Sequence, residues 1–327
     1  MRTLLGRNLR SLLPAIALVI AIPAGAAEPY VWLEGEQPTR ATVPWKAVSA
    51  SHKDYLSDEK WLQVAVSAKD AEKLPKDGAV LEYDFTIDKA GDYEIWDRVG
   101  FETLRGPFEW RIDGGDWQKP GAQWSTDMME VDFWADVAWL HLGRAALQAG
   151  KHTLLVHPQM RYKEEKKKGA DGKEQVVRTP EAIHYTSDCL CLQLGTFRPH
   201  GKYRPDADWQ TADDKKAADH VFQLPESQGP ERQSLSLAGL WQVGRYDESD
   251  IVDRDGPTKD LPRRDEVFWS SIPVPGDKFQ VKPELAFCHR FIYRTGVEVP
   301  AGLAGRSFVL HFPSLNMIAS VFVNGRF

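Results

Sequence analysis

Cysteine is scarce in this sequence: 327 residues hold three, Cys189, Cys191 and Cys288. An odd count this small excludes a disulfide framework. Cys189 and Cys191 stand two apart in a strand-like run, on one face, where bridging would need distortion. No second pair of ligands stands at a spacing that would complete a zinc site around them, so they read as buried apolar thiols. The nine histidines form neither an HxxxH nor an HxH pair, which leaves no histidine-based metal signature. There is no Gly-rich phosphate loop and no GxSxG elbow. A surplus of positive charge is lacking too. Lys and Arg number 41 against 47 Asp and Glu, for a net charge of −6, and the basic residues are scattered, so no nucleic-acid partner is expected. No apolar run reaches the ~20 residues that span a bilayer. Nor does any stretch keep a helical period between caps.

What is present is globular: 42% hydrophobic and 27% charged residues. Residues 1–27 have the layout of a secretory signal peptide, MRTLLGRNLR then LLPAIALVIAI then PAGAA, so export to the periplasm or medium is expected. Residues 28–198 read as short strands split by turns. In VLEYDFTI, Leu81, Tyr83, Phe85 and Ile87 share one face. A turn at Ala90-Gly91 leads to a strand through Tyr93, Ile95 and Val99, and Asp113-Gly114-Gly115 signals a hairpin. LQAGKHTLLVH and SDCLCLQLGTF supply further strands. Many strands with polar turns predict an all-β antiparallel sandwich of jelly-roll type. The charge-balanced stretch RYKEEKKKGADGKEQ, 161–175, is expected to be a solvated loop between two strands. Residues 199–231 read as a linker, with two turns of helix over Asp213 to Val221. Residues 232–327 repeat β-sandwich grammar, ending in an alternating run and the Asn324-Gly325 turn signal with two residues beyond it.

Four motifs occur in order in this last region: Leu240-Trp241 within LAGLW, Val274-Pro275-Gly276, Tyr293-Arg294 leading to Val299-Pro300, and LHFPSLNMIASVFVNG. The set resembles the N-terminal sugar-binding sandwich of glycoside hydrolase family 2, which includes β-galactosidases, β-glucuronidases and β-mannosidases. Thr295 stands where a second arginine is common, and Phe291-Ile292 replaces a frequent aromatic pair. The resemblance implies a galactose-binding-like second sandwich, incomplete here. In the family the rest of the sandwich, an immunoglobulin-like domain and a catalytic (β/α)₈ barrel follow the "VNG" turn. This chain is therefore expected to be the front portion of a longer retaining glycosidase, inactive by itself because both catalytic glutamates belong to the barrel. A non-catalytic secreted binding or adhesion protein is the alternative, and an accessory module of another polysaccharide enzyme a third. Residues 28–198 resemble the jelly-roll carbohydrate-binding modules of families 6 and 35 through WLEGE (32–36), the "AGxYxxWxR" run at 90–98, "LxAGxHTL" at 147–154 and the Asp188-led closing strand.

An oligo- or polysaccharide partner draws attention to tryptophan, whose flat ring packs on the C–H faces of sugars. Of twelve tryptophans, Trp96, Trp110, Trp117, Trp124, Trp134 and Trp139 fall between residues 96 and 139. Trp124 and Trp134 lie in loop-like stretches, and Trp96 lies opposite Tyr93 and Ile95, so Trp96, Trp124 and Trp134 are the candidate platforms. Core burial is the competing reading for each ring. The resemblance to related modules also implies a structural calcium held by Glu34, Glu36 and Asp188, against plain surface acids, because Ca²⁺ takes 6–8 oxygen ligands.

Overall fold

The computed structural model describes residues 28–101, 104–121, 125–168, 174–226, 234–245, 261–288, 290–315 and 319–326. Twelve strands build the first unit: β1 (Tyr30–Glu34), β2 (Arg40–Ala41), β3 (Lys46–Val48), β4 (Trp61–Ser67), β5 (Leu81–Ile87), β6 (Gly91–Gly100), β7 (Phe108–Ile112), β8 (Ser125–Asp132), β9 (Ala135–Leu147), β10 (Gly150–Pro158), β11 (Met160–Lys168) and β12 (Glu174–Leu194). They form two antiparallel sheets. One runs β2-β5-β10-β7; the other runs β3-β4-β12-β6-β9-β8, with β1 and β11 also paired to β12. This is the expected sandwich.

The alternation read in VLEYDFTI places Leu81, Tyr83, Phe85 and Ile87 in the core, with Leu154, Val156, Phe108 and Trp110 from the same sheet. The facing sheet contributes Leu62, Val64, Tyr93, Ile95, Leu140, Leu142, Tyr185, Leu190 and Leu192. Side chains of period two thus meet between the sheets, as packing of two half-apolar surfaces requires. Residues 185–192 of β12 are all buried. A strand buried on both faces needs a cover on the outer side of its sheet as well.

Two stretches differ from expectation. The 161–175 segment is no loop where it is described. Residues 160–168 pair with 174–183 in a ribbon that prolongs β11 and β12, and cross-strand pairs Arg178–Glu164 (2.8 Å) and Arg161–Glu181 (2.9 Å) neutralise its charge. Alternating signs that suggested solvation serve as rungs of a ladder. In the second region β13 (Val221–Gln223) pairs with β17 (Gly296–Glu298), while β14 (Gly239–Arg245) lies between β15 (Ser270–Val274) and β16 (Phe291–Arg294). The expected strand through Phe308, Leu310 and Phe312 makes no ladder, and all three side chains are exposed. The Asn324-Gly325 turn does form. Both residues have positive φ, 51° and 75°, and Val323 and Arg326 exchange two backbone hydrogen bonds across it, the arrangement of a two-residue primed turn.

Candidate functional site

β8 and β9 form a hairpin with Asp132 opposite Ala135, so Phe133 and Trp134 occupy its tip. Both rings stand in solvent, at 79% and 77% exposure, and meet edge to face with centroids 5.2 Å apart. Asp132 fixes the tip. One carboxylate oxygen accepts hydrogen bonds from the Phe133 amide (2.8 Å) and the Ser51 hydroxyl (2.9 Å), and these hold its pKa below the usual carboxylate range, the amide contributing most. Trp134 has φ of 60°. A bulky residue in the left-handed region costs about 1–3 kcal/mol and is retained where surrounding structure or function demands it. The tip offers two flat apolar faces in a held geometry.

Of the expected platforms, Trp134 is open to solvent. Trp124 lies outside the described residues. Trp96 does not behave as expected: it is 2% exposed. The alternation placed it correctly on the outer face of the larger sheet, but that face is covered. Trp96 clusters there with Trp139, Cys189, Cys191 and Phe197, against Tyr30 and Trp32. The cover is residues 196–209, most of it in the 199–231 stretch read as a linker. The Trp139 indole N–H donates to the Gly201 carbonyl (2.8 Å), the Tyr30 hydroxyl bonds Asp206, and Arg204 pairs with Glu34 at 3.1 Å. Glu94 accepts from the Trp96 indole (3.2 Å), the Phe197 amide (2.9 Å) and Arg144. The helix Ala212–Asp219 follows, its Thr211 and Asp214 side chains bonding each other's amides, a capping box. Phe133 carried a signal that sequence reasoning passed over: two adjacent aromatics in an otherwise polar turn.

The proposed calcium ligands are neighbours that do not act as one set. The Gly35 amide donates to the Asp188 carbonyl (2.8 Å), and Glu34 lies opposite Cys189. Gly35 is required there, because a Cβ would collide with the Ser187 carbonyl. Asp188 is fully buried, and its carboxylate is already engaged by Arg98 (2.7 Å) and the Ser57 amide (2.9 Å). Both oxygens of Glu36 and one of Glu34 are buried without a hydrogen-bond partner. Burial pushes the Glu36 carboxyl up to about 7. Among the described residues no three His, Cys, Asp or Glu side chains are gathered to hold a metal ion. The residues therefore do not fit calcium as arranged: two glutamates fall far short of 6–8 oxygens, and Asp188 answers an arginine instead.

Asp97 is a second buried carboxyl, accepting from the Ser187 hydroxyl (2.7 Å) and the Tyr185 hydroxyl. Burial outweighs these bonds and pushes it up to about 7. In the unfolded chain it would titrate at about 3.9. The native state thus holds the proton more tightly, and this stabilisation is complete below about pH 4 and lost as pH rises through about 7. Glu36 acts in the same direction. Asp188, raised by burial to about 6, adds to it. His200, driven down to about 4 by burial, and His141 and His157, also lowered by burial, act oppositely as pH falls below ~6.5, but the two largest carboxyl shifts, up to about 7, span more of the interval from pH 8 to pH 5. Thermal unfolding is expected at a higher temperature at pH 5 than at pH 8, and Asp97→Asn should flatten that slope. Equal midpoints for the wild type at both pH values would contradict this.

No protein-family model matches the chain, and no curated protein matches it. Solved structures do. A GH26-CBM35 β-(1,4)-mannanase of Podospora anserina is 9% identical with a TM-score of 0.32, over 60% of this chain and 36% of that one. The C-terminal CBM6 of the marine laminarinase LamC of Zobellia galactanivorans is 10% identical with a TM-score of 0.28, over 50% and 99%. A family 6 carbohydrate-binding module of Clostridium cellulolyticum, solved with xylose, is 12% identical with a TM-score of 0.26, over 49% and 95%. This chain spans about a third of the mannanase's length. Among the described residues no helix is long and apolar enough to cross a membrane.

Proposed function

We propose that the first sandwich binds polysaccharide through the Phe133–Trp134 tip, and that the chain is the non-catalytic front portion of an exported glycoside hydrolase of the family 2 kind. The observation that carries the binding reading is the tip itself. Large contiguous aromatic surface in water is retained where something packs on it, and Trp134 is the one tryptophan among the described residues left largely exposed. Two rings set edge to face give a sugar chain a stacking face and a side wall. The order of the four motifs between Leu240 and Gly325 supports the family 2 reading, and the layout of residues 1–27 supports export.

Neutral sugar binding of this type needs no metal and no titrating group, so it should vary little between pH 5 and 8. In affinity electrophoresis the chain should be retarded by at least one of xylan, mannan or a β-1,3-glucan. It should release no reducing sugar from any of them. Free migration through all three gels removes the binding reading, and turnover by the purified chain removes the non-catalytic one.

A further inference from the structure

A cavity of about 200 Å³ lies where the end of β12, the covering segment and the second region meet, lined by Gln193, Arg198, Tyr203, Arg204, Trp209 and Phe268. It is smaller than the ~300 Å³ at which drug-sized pockets begin, room for one ring and not for a chain. Its polar groups are unevenly satisfied. The Gln193 Oε1 is buried and has no hydrogen-bond partner, a costly state unless a donor arrives. Arg204 is already paired with Glu34 at 3.1 Å. Arg198 donates to the Asp265 carbonyl (2.9 Å), and no carboxylate pairs with it among the described residues. Asp265 is engaged by Arg263 and Asp206 by the Tyr30 hydroxyl.

The walls are largely aromatic. His200 stacks on Phe268 (4.4 Å, 12° between planes) and meets Trp209 edge-on at 4.2 Å. Burial keeps that imidazole neutral at pH 7, so the cation lining the cavity that no carboxylate among the described residues holds in an ion pair is Arg198, whose charge reaches the Asp265 carboxylate only at longer range. An occupant must therefore donate a hydroxyl to Gln193, present anionic oxygens to a guanidinium, and offer an apolar face to aromatic rings. We propose that this cavity is a binding site for a single sugar-acid unit, a hydroxylated ring bearing a carboxylate. Arginine suits a carboxylate because two N–H groups can address its two oxygens together. This site stands apart from the Phe133–Trp134 tip and does not depend on it.

The test is calorimetric titration of the full chain with glucuronate and with glucose, in low salt. Glucuronate should bind saturably and at least about tenfold more tightly than glucose, the size of effect expected for one charge-assisted hydrogen bond. Arg198→Gln and Gln193→Leu should each weaken it about tenfold, again one such bond in size, and Trp134→Ala should leave it unchanged. Arg198 is solvent-facing, so its variant stays informative if Gln193→Leu folds poorly. Absence of saturable binding, equal affinity for glucose, or indifference to Arg198→Gln overturns the assignment. Loss of polysaccharide retention in Trp134→Ala with glucuronate binding intact separates the two sites.

Discussion

Asp188→Ala is expected to destabilise the first sandwich by about 3–5 kcal/mol, the cost of leaving one member of a buried ion pair without its partner. Arg98 and Asp188 are both fully buried, 2.7 Å apart. Burial raises the Asp188 carboxyl to about 6 despite Arg98, whose charge pulls the other way. Without the carboxylate, Arg98 would keep the Tyr55 carbonyl (2.7 Å) and little else for its charge, and the Ser57 amide would lose its acceptor. The double variant Arg98→Met with Asp188→Leu should be less destabilised than Asp188→Ala, because both desolvated charges are gone. Urea unfolding followed by near-UV circular dichroism measures each difference. A loss under about 1 kcal/mol for Asp188→Ala, the range of exposed ion pairs, would mean that the pair is not sealed from water.

Trp139→Ala should cost a similar amount, about 3–5 kcal/mol, for a different reason. Its ring is wholly buried, lies 5.6 Å from Trp32 and 5.0 Å from Phe197 edge to face, and its indole N–H holds Gly201. The variant leaves a cavity under the 196–209 cover and an unpaired carbonyl in it. Beyond the global loss, amide exchange in residues 196–209 should accelerate more than in β5 or β10, which lie in the other sheet. Uniform acceleration across both sheets would show that this segment is not held chiefly by the outer-face cluster.

That cover is also where the sequence was hardest to read. The alternation in β5 and β6 made the core face legible, since one face of each strand is apolar and the period is two. The same alternation put Trp96 on the opposite face, correctly, yet could not say that residues 196–209 return across it. A segment rich in Pro, Asp and Lys has the composition of a linker, and its anchoring rests on a few long-range bonds such as Trp139 to Gly201. Local pattern carries no trace of these. Asp188 misled for a related reason. Its partner is ninety positions away, and an acid beside Glu34 and Glu36 in the sheet resembles a ligand until the arginine is seen. Trp134 was legible because a tryptophan in a polar turn has few places to hide. The ribbon of β11 and β12 was not, because balanced charge describes a solvated loop and a cross-strand ladder equally well.

The central claim, that the hairpin tip is the polysaccharide contact, is tested most directly by comparing wild type with Phe133→Ala and Trp134→Ala in gels containing the polysaccharide that retards the parent chain. Truncating exposed rings should leave the unfolding temperature unchanged within about two degrees, since surface changes stay near ±0.5 kcal/mol. Retention should fall about tenfold or more for Trp134→Ala, the scale of one lost stacking contact. Undiminished retention in a normally folded Trp134→Ala protein would contradict the claim.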